Sequence, residues 1–220
     1  MATLNTHRFS IAEALRFGWR TTLDNLGYFL GIGILYVVII AGLNGVVFKM
    51  NAYSEGWAFL LAIVAFVAGI VMDVGLTVIS LRFSDGRRAG VEDLFIHYPF
   101  APAYFIATLI AALLVVVGLA LLIVPGVFLM VLFQFYAYPI VDEGAGAVAA
   151  LRRSAALTRG ERWRLFLFGL LTVLINIGGA LCLLVGLFLT VPVTLVSRAY
   201  VFKQLQLAGS RADQMNVSGV

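Results

Sequence analysis

Asp73, Gln134, Asn176 and Arg198 are polar side chains inside predominantly apolar stretches, and their types suit a site for a proton, an ion or a lipid headgroup. Asp73 lies nine residues before Arg82, which is roughly 13 Å along a helix. Gln134, nine residues after Pro125, and Asn176, twelve beyond Arg164, reach comparable depth, so the three are expected to converge on one axis. Arg198 lies five residues before Lys203 and so about 7 Å from a basic boundary. It is expected either to snorkel to the headgroups or to turn inward, there to neutralise Asp73 or hold a lipid phosphate. The competing reading of these four residues is a hydrogen-bonded cluster that ties helices together. That reading is preferred, because one acid without an embedded base makes a poor proton relay.

Other chemistry is sparse. His7 and His97 both fall outside the apolar stretches, so no helix core supplies imidazole to a membrane haem. The single cysteine, Cys182, allows neither an intramolecular disulfide nor a cysteine metal cluster. Glu92 with Asp93 and Asp142 with Glu143 are adjacent acids beside arginines, better suited to offsetting those charges or capping helices than to acid–base catalysis. With no metal-ligand spacing, no nucleophile and base, and no phosphate-cradling loop, the expectation is no catalytic residue, no metal, no cofactor and no enzymatic activity.

The elements that must position these residues follow from composition. Of 220 residues 62% are hydrophobic and 12% charged, which an ordinary water-soluble surface does not accommodate. A helix needs about 20 apolar residues to cross roughly 30 Å of hydrocarbon. By that ruler the spans are approximately 26–48, 57–81, 102–124, 125–141, 165–187 and 189–201. Residues 1–24 are polar and amphipathic, so they read as no cleavable leader. The fold class is therefore all-α: a polytopic membrane helix bundle of about six transmembrane helices arranged as three hairpins. Short amphipathic interfacial helices should precede the hairpins on the cytoplasmic side, at Ser10 to Thr22 with a Ser10/Glu13 capping box, around Val91, Leu94, Phe95 and Tyr98, and at Ala147 to Leu157 ending at Gly160. Thr158 and Glu161 are expected to cap the next helix. Gly27-x-x-x-Gly31 and Ala65-x-x-x-Gly69 offer small faces for close helix approach. Residues 1–207 form one domain, followed by a polar, mobile tail at 208–220.

Charge sets orientation. Apart from Lys49, every Lys and Arg falls in loops or ends on one side: Arg8, Arg16 and Arg20, then Arg82, Arg87 and Arg88, then Arg152, Arg153, Arg159, Arg162 and Arg164, and finally Arg198, Lys203 and Arg211. Such loops stay in the cytoplasm, which places both termini there in a bacterial inner membrane. Trp19 and Trp163 fit aromatic anchoring on that side, Tyr53 and Trp57 on the other. A formal charge of +4 spread over juxtamembrane loops points to anionic lipid rather than nucleic acid, with Arg152, Arg153, Arg159, Arg162 and Arg164 as headgroup or partner contacts.

The stretch Leu122-Ile123-Val124-Pro125-Gly126, then Tyr138-Pro139-Ile140-Val141-Asp142-Glu143-Gly144, Ala149-Ala150-Leu151-Arg152-Arg153-Ser154 and Leu157-Thr158-Arg159-Gly160 carries a resemblance. It is similar to a family of uncharacterised bacterial six-helix membrane proteins related to the membrane domain attached to some glycerophosphoryl diester phosphodiesterases. The resemblance extends from about Ser10 to Gln204 and is distinctive only from Pro125 to Gly160. It implies a membrane architecture without activity, since no segment supplies the acidic metal ligands of the soluble phosphodiesterase domain. The functional expectation is an accessory or scaffold subunit of a membrane complex, with membrane-protein partners or a homo-oligomer, or a protein that organises lipid. The alternative is a transporter of a small solute, an ion or lipid with a midplane site around Asp73. The orientation is testable: a cysteine placed at Ala156 in a Cys182→Ala background should react with an impermeant maleimide only after permeabilisation, and one at Ser54 should react in intact cells.

Overall fold

The computed structural model describes residues 9–182 and 185–218, and among these every regular element is helical. The helices are α1 (Ile11–Asp24), α2 (Leu26–Asn51), α3 (Glu55–Ser84), α4 (Ala101–Leu121), α5 (Ile123–Phe133), α6 (Ala137–Glu143), α7 (Ala147–Leu157), α8 (Arg162–Leu181) and α9 (Leu187–Ser218). Five segments among the described residues are long and apolar enough to cross a membrane: Leu26–Asn51, Glu55–Ser84, Val91–Leu121, Ile123–Glu143 and Arg162–Leu181. They mark a multi-pass membrane protein. The expected sixth apolar span, 189–201, lies within α9, which is less apolar because Thr190, Thr194, Ser197 and Arg198 interrupt it.

α9 tolerates those residues because it is the hub of the bundle. It packs against α1, α2, α3, α7 and α8, and Val196, Ala199, Val201, Phe202 and Leu205 are completely buried. A side chain surrounded by protein need not be lipid-compatible. α9 also continues through residue 208 without a break, so the expected mobile tail is helical as far as Ser218.

α1 begins as the sequence suggests, with Ser10 Oγ accepting from the Glu13 backbone N–H at 3.4 Å. Its apolar stripe faces the bundle only in part: Ile11 and Leu15 are half-buried against the core, whereas Trp19, and Leu23 beyond it, are each 45% exposed. The buried face is Ala14, Gly18 and Thr22, a row of small residues four apart that brings α1 onto α9. A Cβ at Gly18 would come within 2.5 Å of the Val193 carbonyl oxygen. The Gly27/Gly31 face expected to make such contacts meets nothing within 4 Å. Close packing falls instead at Gly18, Gly75, Gly118 with Gly126, and Gly179 with Gly186.

The second amphipathic segment is two short 3₁₀ turns, Val91–Leu94 and Tyr98–Phe100, rather than an α-helix. The backbone of Leu94 presses on α3 where Gly75 has no side chain, and a Cβ there would approach Leu94 Cα to 2.5 Å. Asp93 locks the turn, accepting from Gly90 N–H at 2.9 Å and pairing with Arg82 at 2.7 Å. The third segment forms α7 as expected, and Gly160 beyond it adopts φ +91°. Glu161 occupies the N-cap of α8 without a side-chain capping bond, and Thr158 Oγ1 donates to the Ala155 carbonyl, so neither side chain caps as anticipated.

The fourth span is broken. α5 stops at Phe133 and α6 starts at Ala137, which frees backbone groups inside an apolar segment. Ser154 of α7 repairs the break: its Oγ donates to Leu132 O at 2.8 Å and accepts from Phe135 N–H at 3.2 Å. A buried hydroxyl thus replaces the helical partners that lipid cannot supply. Gly75→Val forces the Leu94 backbone off α3 and is expected to destabilise the fold by about 1–3 kcal/mol. Thermal unfolding in detergent should show a lower Tm, whereas an unchanged Tm contradicts the packing described.

Candidate functional site

Asp73 lies near the middle of α3 and lines a groove of about 670 Å³ walled by α2, α3 and α9. Pockets for small molecules span about 300–1,000 Å³. The walls are aromatic and aliphatic, with Phe29 and Tyr36 from α2, Leu76 from α3, and Phe188 and Val191 from α9. Phe188 lies against Gly33, where a Cβ would meet its ring at 3.0 Å, so the glycine makes room for one wall of the groove. The Asp73 carboxyl accepts a single described hydrogen bond, from Tyr36 Oη at 3.1 Å. No Lys or Arg among the described residues pairs with it. An uncompensated charge at such depth costs about 2.5–3.5 kcal/mol on insertion scales.

The other three predicted residues do not join Asp73. Gln134 caps the end of α5 and donates to Val131 O at 3.1 Å, so it is spent on the helix break. Asn176 donates to Thr194 Oγ1 at 3.2 Å between α8 and α9. Arg198 reaches Thr172 Oγ1 at 3.5 Å and does not neutralise Asp73. The convergence expected from depth fails because equal depth fixes no azimuth around the bundle. Asn176, Thr194, Thr172 and Arg198 instead form a polar ladder along α8 and α9, where Asn176 Oδ1, Thr190 Oγ1 and Arg198 Nε are buried without a partner.

At the basic end the acids do offset cations. Lys203 pairs with Asp142 at 2.8 Å and Asp85 at 3.5 Å, joining α9, α6 and the end of α3. Arg153 meets Glu143 at 3.4 Å. Arg164 donates to Phe9 O at 2.9 Å and lies over the Phe9 ring, while Arg162 stacks over Phe128 at 4.8 Å. Arg152, Arg159, Trp19 and Trp163 are exposed. His97 stacks on Phe100 and its Nδ1 lies 3.3 Å from Asp93 O. His7 and Arg8 lie outside the described residues, as does the Arg211 side chain. Among the described residues no three His, Cys, Asp or Glu side chains are grouped to hold a metal.

Residues 54–218 match the family model of a domain of unknown function, DUF7847. The chain belongs to this family. The match takes in α3 to α9, and with them Asp73 and two walls of the groove, and leaves out α1 and also α2, which contributes Tyr36, Phe29 and Gly33. No link to the glycerophosphoryl diester phosphodiesterase membrane domain comes with it. No curated protein and no solved structure matches the chain.

Sequence reasoning found Asp73 and missed its surroundings. Tyr36 was readable as a phenol inside an apolar run, which calls for a partner, but nothing in the pattern named that partner. Asp73→Asn keeps an acceptor for Tyr36 and removes a group that burial disfavours, so its Tm should equal or exceed that of the wild type. Asp73→Leu leaves the Tyr36 hydroxyl unpaired and is expected to lose about 1 kcal/mol in the same thermal unfolding measurement.

Proposed function

We propose that the chain is a non-enzymatic integral protein of the bacterial inner membrane, its basic end and termini in the cytoplasm, that organises anionic lipid as an accessory or scaffold subunit. The observation that carries this is a set of exposed guanidiniums, Arg16, Arg20, Arg88, Arg152 and Arg159, with no acidic partner within 4 Å among the described residues. Each cation near an anionic headgroup gains about 1 kcal/mol. Trp19 and Trp163 are 45% and 70% exposed at the same end, and half-exposed Trp19 and Leu23 let α1 lie in the headgroup boundary with its small face on α9. Tyr53 and Trp57, 86% and 64% exposed, flank the opposite end.

The motif from Pro125 to Gly160 supports extending the proposal to the six-helix bacterial proteins related to the glycerophosphoryl diester phosphodiesterase membrane domain. Its residues build one unit, the α4–α5 turn, the Ser154-repaired break and α7. The exposed apolar faces of α4 and α8 suit lipid, a membrane-protein partner or a second copy equally. A second reading, a transporter of a small solute, an ion or lipid with a midplane site around Asp73, draws its support from the groove alone.

The lipid-organising reading is tested by lipid analysis of protein extracted directly from membrane into polymer nanodiscs. Arg152→Glu combined with Arg159→Glu should lower the ratio of anionic to zwitterionic co-extracted lipid severalfold, in line with about 1 kcal/mol per cation. An unchanged ratio with an unchanged Tm refutes the reading.

A further inference from the structure

We propose that the groove between α2, α3 and α9 is a binding site for a lipophilic cation, with Asp73 as its counter-ion. The proposal stands apart from the basic-end lipid contacts and rests on three features of the groove itself.

The first is an acid without a cation. Among the described residues Asp73 is the only charged one lining the groove, its hydrogen bond comes from a neutral phenol, and no basic side chain lies within ion-pair distance of it. Arg198, the nearest candidate by sequence depth, is turned to Thr172. Asp73 is half-buried and lines the groove rather than being sealed behind it. A buried carboxylate needs either a proton or a positive partner, and the groove is where a partner would sit.

The second is the wall. Phe29, Tyr36 and Phe188 place three aromatic rings around the groove that holds the carboxyl. Aromatic faces attract cations, most strongly when water is excluded. The remaining walls are aliphatic and favour a guest with an apolar body.

The third is depth. Asp73 lies 18 residues from Glu55 and 11 from Ser84, or about 27 and 16 Å from the two ends of α3. A phospholipid amine is tethered to a phosphate that resists such depth. A cation whose charge is spread over a large apolar body has a small desolvation penalty and reaches the site through the bilayer. That chemistry selects a diffuse organic cation over a lipid headgroup or a metal ion.

The test is equilibrium binding of radiolabelled tetraphenylphosphonium to the full chain in phosphatidylcholine nanodiscs, beside the neutral probe triphenylphosphine oxide. The wild type should bind the phosphonium saturably, and Asp73→Asn should weaken it about tenfold or more while leaving the neutral probe unaffected. Asp73→Glu should retain binding. Val191→Trp, which fills the groove and keeps the carboxyl, should also weaken it. Absent saturable binding, or equal phosphonium affinity in wild type and Asp73→Asn, overturns the proposal. If Asp73→Asn does not fold, Val191→Trp decides, and undiminished binding there overturns it. Displacement of the phosphonium by phosphatidylethanolamine added to the nanodiscs would assign the carboxylate to a lipid amine and overturn it as well.

Discussion

The packing of five helices around α9 is the constraint on which the rest of the bundle depends. Because α9 is enclosed by α1, α2, α3, α7 and α8, its sequence alternates buried apolar residues with threonines, a serine and an arginine that would be costly in contact with lipid. The enclosure is possible because its neighbours present small surfaces. Ala14, Gly18 and Thr22 bring the α1 backbone almost into contact with Val193 and Ser197, and Gly179 lets the start of α9 turn closely under α8. Without a strong hydrophobic drive between helices in lipid, such close approach supplies the dispersion contacts that hold them together.

The second governing demand is that backbone groups freed inside the apolar region find protein partners. Two departures from regular helix among the described residues are each answered by a specific neighbour. The gap between α5 and α6 receives Ser154, and the turn at Val91–Leu94 receives the Asp93 carboxyl on its Gly90 amide while Tyr28 donates to the Gly90 carbonyl at 3.0 Å. These two repairs bind α7 to α5 and the 3₁₀ segment to α2 and α3, so the irregular pieces are integral to the packing.

Much of this was legible in the sequence, and the limits have physical causes. Apolar length gave the spanning helices, and the Ser10 cap, the α7 segment and the turn before Pro125 were local signals that local structure obeys. Asp73 stood out because a carboxyl amid valines and methionines has few innocent explanations. What failed was everything set by azimuth. Depth along a helix follows from residue counting, whereas the direction a side chain faces depends on which neighbour packs where, so Gln134, Asn176 and Arg198 appeared to meet Asp73 and do not. The same blindness credited Gly27 and Gly31 with helix contacts that belong to Gly18 and Gly75. The α5–α6 break was invisible because the residue that makes it tolerable lies 19 positions away from Phe135.

Lys203 holds together parts of the chain that share no other ion pair among the described residues. Its ammonium stands between Asp85, just past the end of α3, and Asp142 near the end of α6, with Gln206 one helical turn on reaching Asp142 and Glu143. Two acids from separate hairpins thus lean on one base from the hub. The basic extremity of the molecule behaves as a single keystone joint, in which a shift of any one helix is felt at once by the other two.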